Sequence, residues 1–218
     1  MARLLGRYRS PLGTILVACD GEAITGLWFW GQKYFAAGIE GPGAQRFTVQ
    51  QEHGVIETMT VWEMEDGRQD IRRGEQDCIP ADGRYAGWEE RPVGAPVLAQ
   101  AAHWLARYFA GGDPGPTPPL APAGSPFRQA VWAALMEIPY GQTRTYGQLA
   151  QALAQRTGKK AAPRAVGGAV GHNPISLMIP CHRVVGAGGA LTGYAGGLER
   201  KKALLALEKA APAPPAGP

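Results

Sequence analysis

The sequence predicts a two-domain α/β chain, with a small antiparallel β-meander and one helix first and a helical domain containing a helix-turn-helix second. Three observations predict it. Three short strand-like segments near the N-terminus are separated by tight-turn residues. The Gly/Pro-rich run GGDPGPTPPLAPAG at residues 111–124 divides the chain and reads as a linker and hinge. Charge is also split across that linker. Residues 1–120 carry 11 Lys/Arg and 15 Asp/Glu, whereas residues 121–218 carry 11 Lys/Arg and 3 Asp/Glu, a net of −4 against +8.

The strands fall at residues 3–9, 14–19 and 23–30, with Ser10-Pro11-Leu12-Gly13 and Asp20-Gly21 as the turns between them. From residue 40 to 91 the pattern fails. This stretch holds 6 Arg and 12 Asp/Glu, with only 55–64 strand-like, and reads as an acidic surface insertion with too little apolar content for a core. Helical periodicity returns at 96–110, where Val97, Ala101, Trp104, Leu105, Tyr108 and Phe109 share a face and Gly111 stops the helix.

Beyond the linker, Ser125-Pro126 is an N-cap followed by Pro at the first helical position. The helix runs over 127–137, with Phe127, Val131, Trp132, Leu135 and Met136 apolar, and Ile138-Pro139-Tyr140-Gly141 breaks it. Thr145 caps a second helix containing Leu149, Ala150 and Leu153, and a basic connection (Arg156, Lys159, Lys160) leads to a third at 163–170. Two short helices about a turn, the second rich in small residues and led by Arg164, predict helix-turn-helix geometry. Together with the +8 charge, that geometry points to a polyanion, nucleic acid, as partner. The division is thus 1–110, linker 111–124, a second domain 125–210, and a disordered tail at 211–218 (APAPPAGP).

Composition excludes several classes. There is no run of 18 apolar residues and no signal-peptide core at the N-terminus, so neither a membrane nor a secreted protein is expected. Three cysteines at 19, 78 and 181 form no CxxC and leave one over, which argues against a disulfide scaffold and for reduced thiols in a cytoplasm. His53, His103, His172 and His182 show no ligand spacing with the cysteines, so no metal and no cofactor is expected.

The chemistry concentrates in Ile179-Pro180-Cys181-His182-Arg183-Val184-Val185. A thiol, an imidazole and a guanidinium stand consecutively in an apolar, strand-like context. Cys19 and Cys78 read as small packing residues. Cys181 does not, because two cationic neighbours are expected to favour its nucleophilic thiolate.

These residues resemble a known family, the O6-alkylguanine-DNA alkyltransferases. The resemblance runs from Pro126 to Glu208 through Val131-Trp132, Ile138-Pro139-Tyr140-Gly141, Thr145-Tyr146, Arg164-Ala165-Val166-Gly167, Asn173-Pro174, the Cys181 segment and Gly193-Tyr194-Ala195-Gly196-Gly197-Leu198. Ser10-Pro11-Leu12-Gly13 and Gly31-Gln32-Lys33 are similar to the N-terminal domain of bacterial members. The resemblance implies a ribonuclease-H-like N-terminal domain and a winged, helix-turn-helix C-terminal domain. It also implies a monomer acting on double-stranded DNA that contains O6-alkylguanine, or O4-alkylthymine. Repair would be direct, stoichiometric and irreversible, through transfer of the alkyl group to the protein's own cysteine after nucleotide flipping.

Roles carry over by the same resemblance. Cys181 is the acceptor, His182 the base that takes its proton through a water, and Glu208 the carboxylate that orients the imidazole. Tyr146 donates a proton to the leaving guanine and crowds the phosphate of the flipped nucleotide. Tyr194 and Val184 wall the pocket, the Ala195 N–H reaches O6, and Asn173 ties the helix-turn-helix to the active-site strand. Arg164 fills the gap left in the base stack, and the small Ala165, Gly167, Gly168 and Ala169 let that helix approach the DNA backbone closely. Lys159 and Lys160, in a longer connection than compact members have, add phosphate contacts. Pro163 departs from the pattern and requires a place in the first helical turn. A lesion-binding sensor without transfer is the alternative, and relatives of that kind carry tryptophan where this chain has Cys181.

Overall fold

The computed structural model describes residues 4–35, 46–49, 59–63 and 96–210. The tail at 211–218 and most of the acidic stretch 40–91, Cys78 included, lie outside the described residues. The N-terminal unit is a sheet of β1 (Leu4–Ser10), β2 (Gly13–Cys19), β3 (Ile24–Phe29), β4 (Arg46–Val49) and β5 (Met59–Glu63), in the spatial order β3-β2-β1-β5-β4. All adjacent pairs are antiparallel. The β1–β2 register closes on Ser10 opposite Gly13, a two-residue hairpin in which Ser10 Oγ donates to the Gly13 carbonyl at 2.6 Å. At the next turn Asp20 Oδ1 accepts from the backbone of Glu22 and Ala23 at 3.0 and 2.8 Å, so the Asp-Gly signal has a direct mechanism.

The acidic stretch corrects one expectation. Only 55–64 reads as strand-like in the sequence, yet two strands form there, and β5 pairs with β1 while β4 pairs with β5. The segment is fastened to the sheet at these points. Short strands with backbone pairing do not require a long alternating pattern.

Helix α1 (Pro96–Phe109) packs on β1–β3 with Val97, Leu98, Ala101, Trp104, Leu105 and Tyr108 buried. The second unit has α2 (Pro126–Met136), β6 (Arg144–Thr145), α3 (Tyr146–Thr157), α4 (Pro163–Gly171), a 3-10 turn (Cys181–Arg183), β7 (Val184–Val185), a 3-10 turn (Ala187–Gly189) and α5 (Leu198–Ala210). Its caps follow the sequence closely. Ser125 accepts from Arg128 N with Pro126 at the helix start, and Thr145 and Gln148 form a reciprocal capping box on α3. Pro163 sits in the first turn of α4, where its missing N–H has no partner to lose. The Trp132 indole donates to the Ala169 carbonyl at 2.9 Å, locking α2 against α4. Phe127 and Met136, read as part of the apolar face of α2, are instead 42% exposed each, because they lie at the two ends of a helix whose middle is buried.

The Gly/Pro-rich segment is tied to the sheet near its end, at residues 119–121. β3 is an edge strand, and the second unit uses that edge. Ile24 N donates to Pro119 O and Ala121 N to Ile24 O, both at 2.8 Å. Three residues on, Leu27 N donates to Pro174 O at 2.9 Å and Ser176 N to Leu27 O at 2.8 Å. The sheet edge therefore continues, as backbone pairing, into residues 174–176. Among the described residues no helix is long and apolar enough to cross a membrane.

Candidate active site

The pairing of β3 with residues 174–176 delivers the next segment to a fixed place. Leu177, buried and at φ 68°, turns the chain through a left-handed conformation that a non-glycine residue adopts only when its surroundings enforce it. Cys181 then opens the 3-10 turn, not the strand that its apolar neighbours predict. The difference matters chemically. A strand would send Cys181 and His182 to opposite faces, whereas a turn fans three consecutive side chains about a buried centre, and Cys181, His182 and Arg183 are all buried.

Asn173 fixes the thiol. Its Nδ2 donates to the Ile179 carbonyl at 2.8 Å and to Cys181 Sγ at 3.0 Å, and its Oδ1 accepts from Ile175 N at 3.0 Å. On the other side of the turn, His182 Nε2 is 2.6 Å from Glu208 Oε1, and both side chains are buried. Glu208 is held from four directions. Arg183 Nε reaches Oε2 at 2.9 Å and Arg183 Nη2 reaches Oε1 at 3.0 Å. Gly141 N donates to Oε2 at 3.1 Å, and the Tyr108 hydroxyl donates to Oε1 at 2.8 Å. The Ile-Pro-Tyr-Gly break after α2 thus ends at the carboxylate. Gly141 has φ 72°, and a Cβ there would stand 3.3 Å from the Glu208 carbonyl oxygen, so a side chain is doubly disfavoured.

Electrostatics correct a second expectation. Arg183 does not serve the thiol, since its guanidinium pairs with Glu208 and donates to the Ile138 carbonyl at 2.7 Å. Burial pushes the Cys181 thiol up to about 11, and the Asn173 hydrogen bond and the Lys201 charge only partly oppose it. Cys181 is therefore a protonated thiol at rest. Burial also lowers the His182 pKa, against the pull of Glu208, so the imidazole is neutral near pH 7. With Nε2–H engaged by Glu208, Nδ1 is the basic nitrogen. It is buried and has no hydrogen-bond partner among the described residues.

The remaining site residues of the sequence divide into two groups. Tyr146, first residue of α3, lies half-buried with its hydroxyl 3.3 Å from the carbonyls of Thr192 and Gly193, and burial raises its pKa. Tyr194 stands 6.5 Å, ring to ring, from His182, and burial followed by the nearby Cys181 raises its pKa. Val184 is fully buried, and Ala195 is pinned by Lys33 N donating to its carbonyl at 2.9 Å. Parallel pairing of β6 with β7 joins the start of α3 to the strand after Cys181, which places Tyr146 by the same turn. The second group lies on the surface: Arg164, Ala165 and Gly168 are exposed on α4, and Lys159 and Lys160 are exposed before it. Gly167 faces inward instead, where a Cβ would meet the Tyr146 ring at 3.6 Å.

Sequence reasoning missed two residues. Lys201, a lysine that the sequence does not single out, is fully buried, and its Nζ donates to the carbonyls of Val184, Thr192 and Gly193. The signal was present: Lys201, Leu204 and Glu208 recur at helical spacing and form the buried face of α5. Tyr108 reads in the sequence as one residue of the apolar face of its helix. Two surface clefts border the linker segment, and neither includes Cys181. No cluster of three or more His, Cys, Asp or Glu that could hold a metal occurs among the described residues.

Comparison with known proteins identifies the family of the chain. Residues 4–114 match the 6-O-methylguanine DNA methyltransferase ribonuclease-like domain, and residues 126–210 match the DNA binding domain of the same family. A methylated-DNA–protein-cysteine methyltransferase of Mycolicibacterium paratuberculosis is 50% identical over 123 residues, covering 56% of this chain and 70% of the relative. The Haemophilus influenzae protein of the same name is 36% identical over 203 residues, covering 93% and 84%. The crystal structure of Mycobacterium tuberculosis OGT in complex with DNA superposes with a TM-score of 0.59 at 33% identity, covering 95% of this chain and 94% of that one. The fold is accordingly a two-domain α/β fold, an N-terminal sheet domain followed by a helical DNA-binding domain. The chain belongs to the 6-O-methylguanine DNA methyltransferase family.

Proposed function

We propose that Cys181 is the residue to which this DNA-repair methyltransferase transfers the alkyl group of O6-alkylguanine. The observation that carries the assignment is the contrast between the two sides of His182. Nε2 is locked to Glu208 at 2.6 Å, while the buried Nδ1 has no partner among the described residues. A thiol held at about 11 is only about one part in ten thousand thiolate at pH 7, so attack on a saturated carbon requires a base. His182 Nδ1 takes the thiol proton through a water, and Glu208 stabilises the imidazolium. The S–C bond forms as the C–O6 bond breaks. The electron pair stays on the guanine, which takes up a proton from the Tyr146 hydroxyl, and the proton held by His182 balances the one delivered. The thioether has no route back to a thiol, so each molecule reacts once.

Domain organisation and DNA engagement belong to the same reading. We take 1–110 as a ribonuclease-H-like unit bearing the 40–91 insertion, 111–124 as linker, and 125–210 as a winged helix-turn-helix unit. In that unit α3 and α4 form the helix pair and β6–β7 the short wing-like pairing. Support for α4 as the recognition helix comes from its exposed Arg164, Ala165 and Gly168 beside Lys159 and Lys160. Arg164 takes the place of the extruded nucleotide, and the base enters past Tyr194, Val184 and the 193–197 loop, whose Ala195 N–H meets O6. All groups of the relay come from one chain, so a monomer suffices. A cytoplasmic location fits a reduced thiol working on DNA.

The test is stoichiometry. One equivalent of protein should remove one equivalent of O6-methylguanine from a duplex oligonucleotide and then stop, while Cys181→Ser should bind the duplex and remove none. Multiple turnover, or transfer by Cys181→Ser, would overturn the assignment.

A further inference from the structure

We propose that Tyr108, carried by α1 of the N-terminal domain, is a positioning residue for alkyl transfer: its hydroxyl orients Glu208 and selects the His182 tautomer that can accept the thiol proton. The inference rests on the Cys181–His182–Glu208 relay proposed above and adds to it a group from the other domain.

The geometry is specific to the hydroxyl. Tyr108 Oη lies 2.8 Å from Glu208 Oε1 and 3.3 Å from His182 Nε2, so one oxygen bridges both members of the relay. A neutral tyrosine has one proton to give, and Glu208, a carboxylate, can only accept. That proton therefore goes to Oε1, which leaves a phenolic lone pair facing His182 Nε2. Two acceptors, Oε1 and the phenolic oxygen, then converge on Nε2 and require it to carry hydrogen. Nδ1 is left as the base. Burial and the Glu208 charge raise the Tyr108 pKa far above its ordinary value, so the hydroxyl stays protonated at every working pH.

The ring is held independently of the hydroxyl. It stacks on Trp104 at 5.4 Å, meets Phe109 edge-on at 5.3 Å, and approaches Tyr140 at 6.0 Å. Removing Oη therefore deletes the bridge and leaves the packing. Of the other charged or titratable groups, Arg183 fixes Glu208 from the turn and Tyr140 faces it from the α2 break, where the neutral Gly141 N–H also donates to it. Lys201 faces His182 and Cys181 from α5, and Tyr194 faces them from the 193–197 loop. None of these touches Nε2.

The sign of the pH effect follows. Without the tyrosine donor the Glu208 carboxylate is more basic and stabilises the imidazolium more strongly, so the His182 pKa rises. More of the base is then already protonated at and below neutrality.

The experiment is single-turnover methyl transfer from an O6-methylguanine duplex by the full chain, wild type against Tyr108→Phe, from pH 5.5 to 8.5, with His182→Gln as reference. Tyr108→Phe should slow transfer roughly tenfold at pH 6.5, with the deficit narrowing to about threefold at pH 8.5 and duplex affinity unchanged. A rate equal to wild type, or a loss that is uniform across pH, would overturn the inference, the second because it is what loosened packing produces. If His182→Gln also transfers at the wild-type rate, the relay itself is wrong and the role of Tyr108 falls with it.

Discussion

Replacing Glu208 by Gln keeps the volume and shape of the side chain but removes the charge that Arg183 and His182 are built around. Burial works against ionisation of Glu208, yet the hydrogen bonds of His182 and Arg183, the Arg183 charge and, once it protonates in acid, the His182 charge outweigh it and hold the carboxyl at about 2 instead of 4.5. A depression of that size corresponds to about 3 kcal/mol of stability at neutral pH. The same magnitude follows from a different direction. Arg183 is only 8% exposed, and leaving one partner of a buried ion pair uncompensated costs about 3–5 kcal/mol. For a chain of this length that lowers the melting temperature by about 6–12 °C. Because the folded-state pKa is the depressed one, the increment is fully present above pH 4.5 and is lost as pH falls from 4.5 towards 2. Thermal melts of wild type and Glu208→Gln from pH 2.5 to 8 should therefore show a constant gap above about pH 5 that closes in acid. A gap below about 2 °C at pH 7, or one that persists unchanged at pH 2.5, would refute the argument that the carboxylate is charged, paired and buried.

The other expectations concern single features of the site. Because burial lowers the His182 pKa below its ordinary 6.5, the transfer rate should hold its plateau down through pH 6.5 and fall only in more acid buffer; a rate already halved at pH 7 would contradict a neutral, buried base. Gly141→Ala and Gly158→Ala both force alanine into a left-handed conformation, at φ 72° and 68°, and should each lose about 1–2 kcal/mol in denaturant titrations. Only Gly141→Ala should also slow transfer, since a Cβ at Gly158 meets nothing within 4 Å while one at Gly141 presses on Glu208. Arg164→Ala should impair repair within a duplex by at least tenfold more than transfer from free O6-benzylguanine, measured side by side; equal losses would count against a role in filling the base stack.

Local signals carried the elements well, because caps and turns act over three or four residues. Ser125-Pro126, Thr145 with Gln148, and Asp20 all form the hydrogen bonds that their side chains imply. The Cys181 segment was legible as chemistry but not as geometry. Its apolar neighbours read as a strand, and whether Arg183 would face the thiol or Glu208 depends on a 3-10 turn set by distant pairing with β3. Tyr108 and Lys201 were hidden for a related reason. A tyrosine on an apolar helix face looks the same whether its hydroxyl meets a carboxylate 100 residues away or not, and a lysine in Glu-Arg-Lys-Lys reads as solvated. Leu177 gave no warning of its left-handed backbone, because tertiary context imposes it.

The proposed relay requires Cys181 to be the acceptor among the three cysteines. After reaction of the full chain with a duplex carrying one O6-methylguanine, proteolysis and tandem mass spectrometry should place one methyl, replacing one hydrogen, on the peptide containing Cys181. Cys19, fully buried at the end of β2, and Cys78 should remain unmodified. A methyl on Cys19 or Cys78, or none on any cysteine while the duplex is bound, would contradict the account.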